Sequence, residues 1–269
     1  MNPQPATTPH SHRLGVVSFL NARPLIEGLD CMHGVSLVYD VPARLAGLLD
    51  AGEVDAALVP VIDIVRPHRR WQIISDACIG CDGETLTVRI FSRVPPDEIR
   101  RLHVDGDSHT SVALASVIWQ EMFGQQLMIA PLDSTGGDWT NVEAVLLIGD
   151  KVVNHRLTDF DIETDLGGAW KSLTGLPFVF AAWVCGQGYD AGELPRQLSE
   201  ARDRGVAAAA EIAASAGPRL GWPVELATRY LTHRLKFKIT DRHREAMALF
   251  LDMVQQQHVI PEAQEFVFA

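Results

Sequence analysis

The sequence predicts an α/β protein whose two lobes enclose a central cleft. Short apolar strands alternate with helices in the first part of the chain, which is typical of a largely parallel sheet covered on both faces. Pro95 and Pro96 interrupt this pattern, and a second alternating series follows. One doubly wound sheet followed by a helical tail would give the same order, but the restart slightly favours two lobes. A hinged cleft between lobes is a common binding place for a small molecule.

The first series combines five predicted strands with one clear helix. In residues 42–52 the leucines recur at helical spacing, Pro42 suits a first turn and Gly52 suits a C-terminal cap. The predicted strands are short apolar runs bounded by polar residues, at 14–19, 35–40, 55–60, 72–80 and 85–92.

The second series begins after the two prolines and is followed by a tail predicted to hold helices only. The predicted strands lie at 102–108, 126–132, 143–150 and 177–185, and the predicted helices at 110–124, 166–175, 193–215, 223–234 and 241–257. We expect the chain to cross between the lobes near Ser92 and again near Val184. This divides it into a disordered leader at 1–12, lobe one at 13–92 plus 185–269, and lobe two at 93–184.

Composition and charge argue against several classes of function. The chain has 269 residues and a formal net charge of −11, with no cluster of Lys and Arg among aromatic residues, so the sequence does not predict nucleic-acid binding. No apolar run has the roughly 18–20 residues that cross a bilayer. The first residues lack the pattern of a secretory signal, so we expect a cytoplasmic protein without a membrane partner.

Cys78 and Cys81 form a C-x-x-C pair, which can mark a redox site or half of a zinc site. A redox pair of the thioredoxin type would open a helix, whereas this pair continues a β-like run, and no second ligand pair follows at zinc-site spacing. We therefore expect small buried residues here and no metal.

The first candidate site follows the first predicted strand, in residues 18–25. Ser18 and Asn21 lie where the strand should end, and ligands of open α/β sheets bind beyond such ends. Asn21 offers both a donor and an acceptor, and Arg23 offers a planar fork suited to a carboxylate. An ordinary helix cap and turn would explain the same residues.

The second candidate site lies at the start of the helix predicted from residue 110. Ser108, Thr110 and Ser111 crowd its first turn, where unpaired backbone N–H groups carry partial positive charge. Hydroxyls beside that turn would form a neutral cradle for a carboxylate or phosphate, with His109 next to it. Capping by one hydroxyl is the alternative.

Two further segments are weaker candidates. Thr85 and Thr87 would share one face of a strand, although Thr is also a good strand former. Asp150 follows Gly149 after a predicted buried strand, where it could cap a helix or orient a ligand hydroxyl. The glycine patterns of nucleotide sites and G-x-S-x-G are absent from the sequence, so we expect no nucleotide cofactor.

Five blocks of sequence together resemble a known family. The blocks are VSFLNARPL, VPARLAGLLDAGEVDAALVPVIDIVR, FSRVPPDEIRRLHVDGDSHTSVAL, EAVLLIGDKV and DLGGAWKSLTGLPFVFAAW, in this order. The combination closely resembles the chorismate dehydratases of the futalosine route to menaquinone, from about Arg13 to the C-terminus. The resemblance implies a type 2 periplasmic-binding-protein-like fold with two crossover strands. It also implies loss of water from chorismate, giving 3-[(1-carboxyvinyl)oxy]benzoate, without metal or organic cofactor.

The resemblance also assigns residues. It places Asn21 in the active site as the catalytic residue, and the hydroxyl block at Thr110 and Ser111. Thr87 stands where the family has Ser, and His109 where it usually has Arg. Arg89 replaces an apolar residue. These departures bear on substrate detail more than on reaction class.

Two other functions fit the same fold. One is a binding or sensor protein that closes on a small carboxylate without reaction. The other is the related 1,4-dihydroxy-6-naphthoate synthase, against which the L-N-x-x-P-L and S-x-T-S blocks count. No side chain stands out as the base, and the substrate's enolpyruvyl carboxylate is a candidate. The sequence leaves the oligomeric state open.

Overall fold

The computed structural model describes residues 11–132, 139–154, 157, 159–260 and 262–269. Its strands are β1 (His12–Val17), β2 (Val35–Asp40), β3 (Ala56–Pro60), β4 (Trp71–Cys81), β5 (Val88–Ser92), β6 (Arg101–Val104), β7 (Met128–Pro131), β8 (Ala144–Ile148), β9 (Ile162–Asp165), β10 (Phe178–Gly186) and β11 (Leu235–Lys238). Its α-helices are α1 (Pro42–Asp50), α2 (Val61–Ile64), α3 (His109–Phe123), α4 (Lys151–Asn154), α5 (Leu166–Thr174), α6 (Leu194–Ala207), α7 (Ala209–Ala216), α8 (Val224–Arg229) and α9 (Asp241–Gln256). Two 3-10 helices, Leu20–Ile26 and Pro218–Leu220, and a π-helix, Tyr230–Arg234, matter below.

Two sheets form the framework of the described residues. One sheet has the strand order β11-β4-β10-β3-β1-β2, and the other has the order β7-β6-β8-β5-β9. We call the first sheet with its packed helices lobe one, and the second sheet with α3, α4 and α5 lobe two. Strands β1, β2 and β3 run parallel, whereas β10 pairs antiparallel with both β3 and β4. Strands β3, β8 and β10 are almost wholly buried, which explains their continuous apolar sequences.

Two strands pair in the sheet opposite to the one that the predicted boundaries imply. Strand β5 lies between β8 and β9 in lobe two, so the chain leaves lobe one within residues 82–87 and not after Ser92. Strand β10 lies between β3 and β4 in lobe one, so the chain has returned before Phe178 and not at Val184. The apolar pattern of a strand does not tell which sheet it joins, because that choice depends on partners distant in sequence.

Two smaller predictions need correction. His12 belongs to β1 and its Nδ1 lies 2.7 Å from the hydroxyl of Tyr189, so the predicted leader 1–12 is too long; residues 1–10 lie outside the described residues. The tail after Glu193 was predicted to hold helices only, but it contains β11. Strand β9, with only four residues, was also missed. None of the helices described is both long and apolar enough for a bilayer crossing.

Helix α6 holds the 3-10 helix Leu20–Ile26 in place through a close contact. A Cβ added at Gly205 would lie 1.9 Å from the carbonyl oxygen of Pro24. We therefore expect Gly205→Ala to lower the free energy of unfolding by about 3 kcal/mol, because the two segments must separate. Urea unfolding measures this. Gly47→Ala in α1 is the control, since no atom of the described residues lies within 4 Å of its added Cβ, and an equal loss in both variants would contradict the contact.

Candidate active site

A cavity lies between the two lobes, and we call it the central cavity. Residues of lobe one, lobe two and the first crossover segment all contribute to its wall. The wall is formed by Val17, Phe19, Asn21, Pro42, Pro60, Ile79, Thr85, Thr87, Val88, Ser108, Ser111, Ile148, Gly149, Phe180, Ala181, Tyr230 and Leu235.

The central cavity lies where strands end and helices begin. Val17, Pro60 and Ile148 close strands β1, β3 and β8, while Pro42 is the first residue of α1 and Ser108 caps α3. The N-terminal end of a helix carries partial positive charge. All the described residues in the wall are uncharged at neutral pH, so attraction for an anion would come from these dipoles and from neutral donors.

Asn21 brings an unpaired acceptor to the wall. It lies in the 3-10 helix that follows β1, and its Oδ1 is buried without a hydrogen-bond partner in the described structure. A buried polar atom without a partner is costly, and a ligand hydroxyl would satisfy it. The side chain is therefore suited to accept a hydrogen bond from a bound molecule.

Thr87 and Tyr230 form a pair of hydroxyls in the same wall. Their oxygens lie 2.6 Å apart, and both side chains are almost fully buried. Burial raises the pKa of Tyr230, and the hydrogen bond with Thr87 only partly opposes this effect. The phenol therefore stays protonated at neutral pH and can donate a hydrogen bond into the central cavity.

The crossover segment that carries Thr85 and Thr87 is held in a strained conformation. Leu86 has a φ of +75°, a left-handed value that is rare for a side chain of this size. The carboxylate of Asp165 accepts hydrogen bonds from the backbone N–H groups of Thr85 and Leu86, at 2.8–3.1 Å. The same carboxylate caps α5. Asp165 thus fixes the backbone that presents the two threonines.

Ser108 and Ser111 form the hydroxyl pair at the start of α3. Their Oγ atoms lie 3.0 Å apart, and Ser108 Oγ accepts a hydrogen bond from the backbone N–H of Ser111. Both residues are buried in the wall of the central cavity. Capping and a ligand-facing position therefore coexist, although the sequence presented them as alternatives.

Two predicted binding residues of the same turn point elsewhere. The hydroxyl of Thr110 accepts a hydrogen bond from the backbone N–H of Ile62 in lobe one, at 3.3 Å. Nδ1 of His109 lies 2.7 Å from Oδ2 of Asp63, in a different groove from the central cavity. Burial raises the pKa of Asp63, but hydrogen bonds from His109 and Arg66 outweigh this effect and hold that pKa below its usual value. Thr110 and His109 join the lobes and do not line the central cavity.

Two more predicted binding residues lie outside the wall. Ser18 is half-buried, and its backbone N–H donates to the carbonyl oxygen of Asp40. The guanidinium of Arg23 lies over the ring of Tyr39, 5.1 Å from its centroid. Side chains of neighbouring residues on a strand end or a 3-10 turn point in different directions, so only Asn21 of this segment's three candidates faces the central cavity.

Asp150 was also predicted to bind substrate, and it does not line the central cavity. Its carboxylate accepts hydrogen bonds from the backbone N–H of Leu20 and from Nε1 of Trp222. Burial raises the pKa of Asp150, and these two donors partly oppose that shift. The side chain lies behind the wall that Asn21 forms.

Sequence reasoning missed Tyr230. The residue lies more than 140 positions from Thr87, and nothing near it marks a site. The signal that exists is structural: Tyr230 begins a π-helical turn, and such turns are frequent at functional sites. Its ring stacks on Trp222, with centroids 4.8 Å apart.

Cys78 and Cys81 lie within β4, and both are buried. Burial raises the pKa of both thiols far above the usual value, so they stay protonated. In the described residues, His, Cys, Asp and Glu side chains form no cluster of three or more that could hold a metal ion.

Solved structures confirm the predicted periplasmic-binding-protein-like fold. A protein from Archaeoglobus fulgidus matches with a TM-score of 0.72 at 14% identity, over 94% of this chain and 100% of that chain. The periplasmic aliphatic sulphonate binding protein SsuA from Escherichia coli matches with a TM-score of 0.64 at 14% identity, over 94% of each chain. SsuA from Xanthomonas axonopodis, bound to MOPS, matches with a TM-score of 0.68 at 14% identity, over 95% of this chain and 96% of that chain.

Sequence comparison identifies the family. The chorismate dehydratase of Thermus thermophilus is 28% identical over 245 residues, which cover 81% of this chain and 86% of that protein. The model of a family described as menaquinone biosynthesis matches residues 12–256, which include every residue of the wall of the central cavity. The chain therefore belongs to the menaquinone biosynthesis family.

Proposed function

We propose that this protein is a chorismate dehydratase, a hydro-lyase that removes water from chorismate to give 3-[(1-carboxyvinyl)oxy]benzoate. The observation that carries the proposal is a cavity between two lobes that is lined with neutral hydroxyl and amide groups and with helix starts. The similarity to a chorismate dehydratase over most of the chain supports the same reaction. A biosynthetic role of this kind fits an enzyme of the cytoplasm.

Recognition of chorismate requires an acidic protein to bind a dianion. The formal net charge is −11, so the binding free energy must come from local groups. The hydroxyls of Ser108 and Ser111 at the start of α3 are suited to one carboxylate. In a cavity that excludes water, such fixed donors act more strongly than they do in solvent.

The reaction is a 1,2-elimination that needs no co-reactant. The C–H bond at the ring carbon bearing the enolpyruvyl ether breaks, and its proton goes to a base. The electron pair spreads through the diene toward the ring carboxylate. The C–O bond of the neighbouring ring hydroxyl then breaks, hydroxide leaves and takes up the proton that the base had removed, and the ring becomes aromatic. One chorismate gives one product and one water, so aromatisation supplies the driving force.

The wall of the central cavity favours a base that belongs to the substrate. Among the described residues of that wall there is no Asp, Glu, His or Lys, and the one phenol, that of Tyr230, is held in its protonated form. The enolpyruvyl carboxylate of chorismate is close to the C–H bond within the same molecule and can take its proton. The protein would then supply position and electrostatics.

Asn21, Thr87 and Tyr230 have distinct roles in this proposal. The unpaired Oδ1 of Asn21 accepts the hydrogen bond of the ring hydroxyl that leaves, which fixes that hydroxyl beside the reacting C–H bond. Within the Thr87–Tyr230 pair one hydroxyl donates to the other, and the remaining hydroxyl hydrogen can donate where negative charge develops. This donor is in place before the reaction, so it needs little reorganisation when charge moves.

The direct test is to incubate purified protein with chorismate and follow 3-[(1-carboxyvinyl)oxy]benzoate by chromatography, against a blank without protein. We expect product that grows in proportion to enzyme concentration. Tight chorismate binding without product would favour the sensor function, which the fold of the SsuA binding proteins also allows. If the protein neither binds chorismate nor forms product, the substrate assignment is wrong.

A further inference from the structure

Asp150 of lobe two lies against the wall of the central cavity that lobe one supplies. It directly follows Gly149, and it is 8% exposed. Its Oδ1 lies 3.2 Å from the backbone N of Leu20 and 2.8 Å from Nε1 of Trp222. Both donors belong to lobe one, so one carboxylate oxygen joins the two lobes by two hydrogen bonds.

Each of these hydrogen bonds ends next to a polar residue of the central cavity. Leu20 precedes Asn21 in the 3-10 helix, so the bond to its N–H fixes the backbone that carries the Asn21 side chain. The indole of Trp222 stacks on Tyr230 with an interplanar angle of 18°. Because Asp150 holds one edge of the Trp222 ring, that ring in turn fixes the position of the Tyr230 phenol.

The approach of the two lobes at this point is close. Gly149 has a φ of +61°, and an added Cβ would lie 2.5 Å from Cδ2 of Phe19. Only glycine allows the turn before Asp150 to pack against the ring of Phe19, which itself lines the central cavity. The carboxylate can therefore reach Leu20 only when the lobes are in contact.

From this geometry we infer that Asp150 is a positioning residue, which sets Asn21 and Tyr230 for the reaction when the lobes close on substrate. This inference rests on the proposed function for its catalytic part. In the open form the carboxylate would leave Leu20 and Trp222, and the groups that recognise the leaving hydroxyl would lose their fixed positions. Asp150 itself touches no substrate and acts through the two residues.

A double-mutant cycle tests this coupling. We expect Asp150→Ala to lower kcat about 100-fold, because small misplacements of catalytic groups cost about that much. In an Asn21→Ala background, Asp150→Ala should lower kcat only about 10-fold. The part of its effect that acts through Asn21 is already absent there. Asp150→Asn keeps a carbonyl oxygen for both donors, so kcat should stay within about fivefold of the wild type. Equal losses in the two backgrounds, or no rescue by Asn, would overturn the inference.

The control is Gln257→Ala. It removes the hydrogen bond that Gln257, at the C-terminal end of α9, donates to Glu121 of α3, and this bond joins the two lobes away from the central cavity. We expect its kcat to equal that of the wild type. A loss as large as that of Asp150→Ala would show that any contact between the lobes matters equally, which contradicts a specific role for Asp150.

A second measurement does not depend on activity. The indole N–H signal of Trp222, assigned with Trp222→Phe, should shift in Asp150→Ala and stay in place in Asp150→Asn, and exchange of the Leu20 amide should follow the same pattern. Unchanged signals in Asp150→Ala would contradict the hydrogen bonds themselves. If the wild type makes no product, the proposed function fails, and these signals still decide whether Asp150 joins the lobes.

Discussion

Asn21→Ala should lower kcat for chorismate about 100-fold to 1,000-fold, the loss usual when a polar group that acts in the transition state is removed. The variant should still fold, with a free energy of unfolding within about 1 kcal/mol of the wild type. The reason is that Oδ1 of Asn21 has no hydrogen-bond partner to lose among the described residues. Steady-state kinetics with chorismate and urea unfolding measure the two quantities.

Asn154→Ala is the matched control for this prediction. Its amide donates to the carbonyl oxygen of Leu220 outside the wall of the central cavity, so its loss should leave kcat unchanged. If Asn21→Ala unfolds the protein, the residue is a structural cap and our role for it is wrong. The same conclusion follows if the variant folds and turns over chorismate at the wild-type rate.

The second large effect is expected at Thr87. Thr87→Val keeps the shape of the side chain but removes the hydroxyl 2.6 Å from that of Tyr230. We expect kcat to fall about 100-fold. We also expect stability to fall by about 1–2 kcal/mol, because the buried phenol loses its partner. Kinetics and thermal unfolding with the same preparation separate the two losses.

Thr87→Ser and Tyr230→Phe complete this experiment. Thr87→Ser keeps the hydroxyl and should retain most of the turnover, whereas Tyr230→Phe removes the other member of the pair and should lower kcat to a similar extent. Should Thr87→Ser be as slow as Thr87→Val, the methyl group and not the hydroxyl would be the important feature. That outcome would contradict a hydrogen-bonding role for the pair.

Local sequence predicted most elements of the fold because their signals are local. The helix from Pro42, the strand that carries Cys78 and Cys81, and the helix after Ser108 were all expected from apolar spacing and caps. The sheet that each strand joins could not be predicted in the same way. Strands β5 and β10 have similar apolar runs, yet they pair in different lobes because partners from distant parts of the chain select them.

The candidate site shows the same limit. Asn21 follows strand β1 and Ser111 lies in the first turn of α3, so their positions in the wall of the central cavity could be expected from topology. Thr87 was expected within a strand, but it lies just before β5 in the crossover segment. Thr110 differs from Ser111 by one position, but a helix turns by about 100° per residue, and its hydroxyl faces lobe one instead. Tyr230 reaches the wall from the far end of the chain, and no local pattern signals that contact.

The central claim is that neutral donors and helix starts, without a cationic side chain, hold a dianionic substrate between the lobes. A crystal structure of the slow Asn21→Ala variant with chorismate tests it most directly. We predict one carboxylate within hydrogen-bond distance of the Ser108 and Ser111 hydroxyls, and the ring hydroxyl at the space left by Asn21. A carboxylate paired with an Arg or Lys side chain, or chorismate bound in the groove beside His109 and Arg66, would contradict the claim.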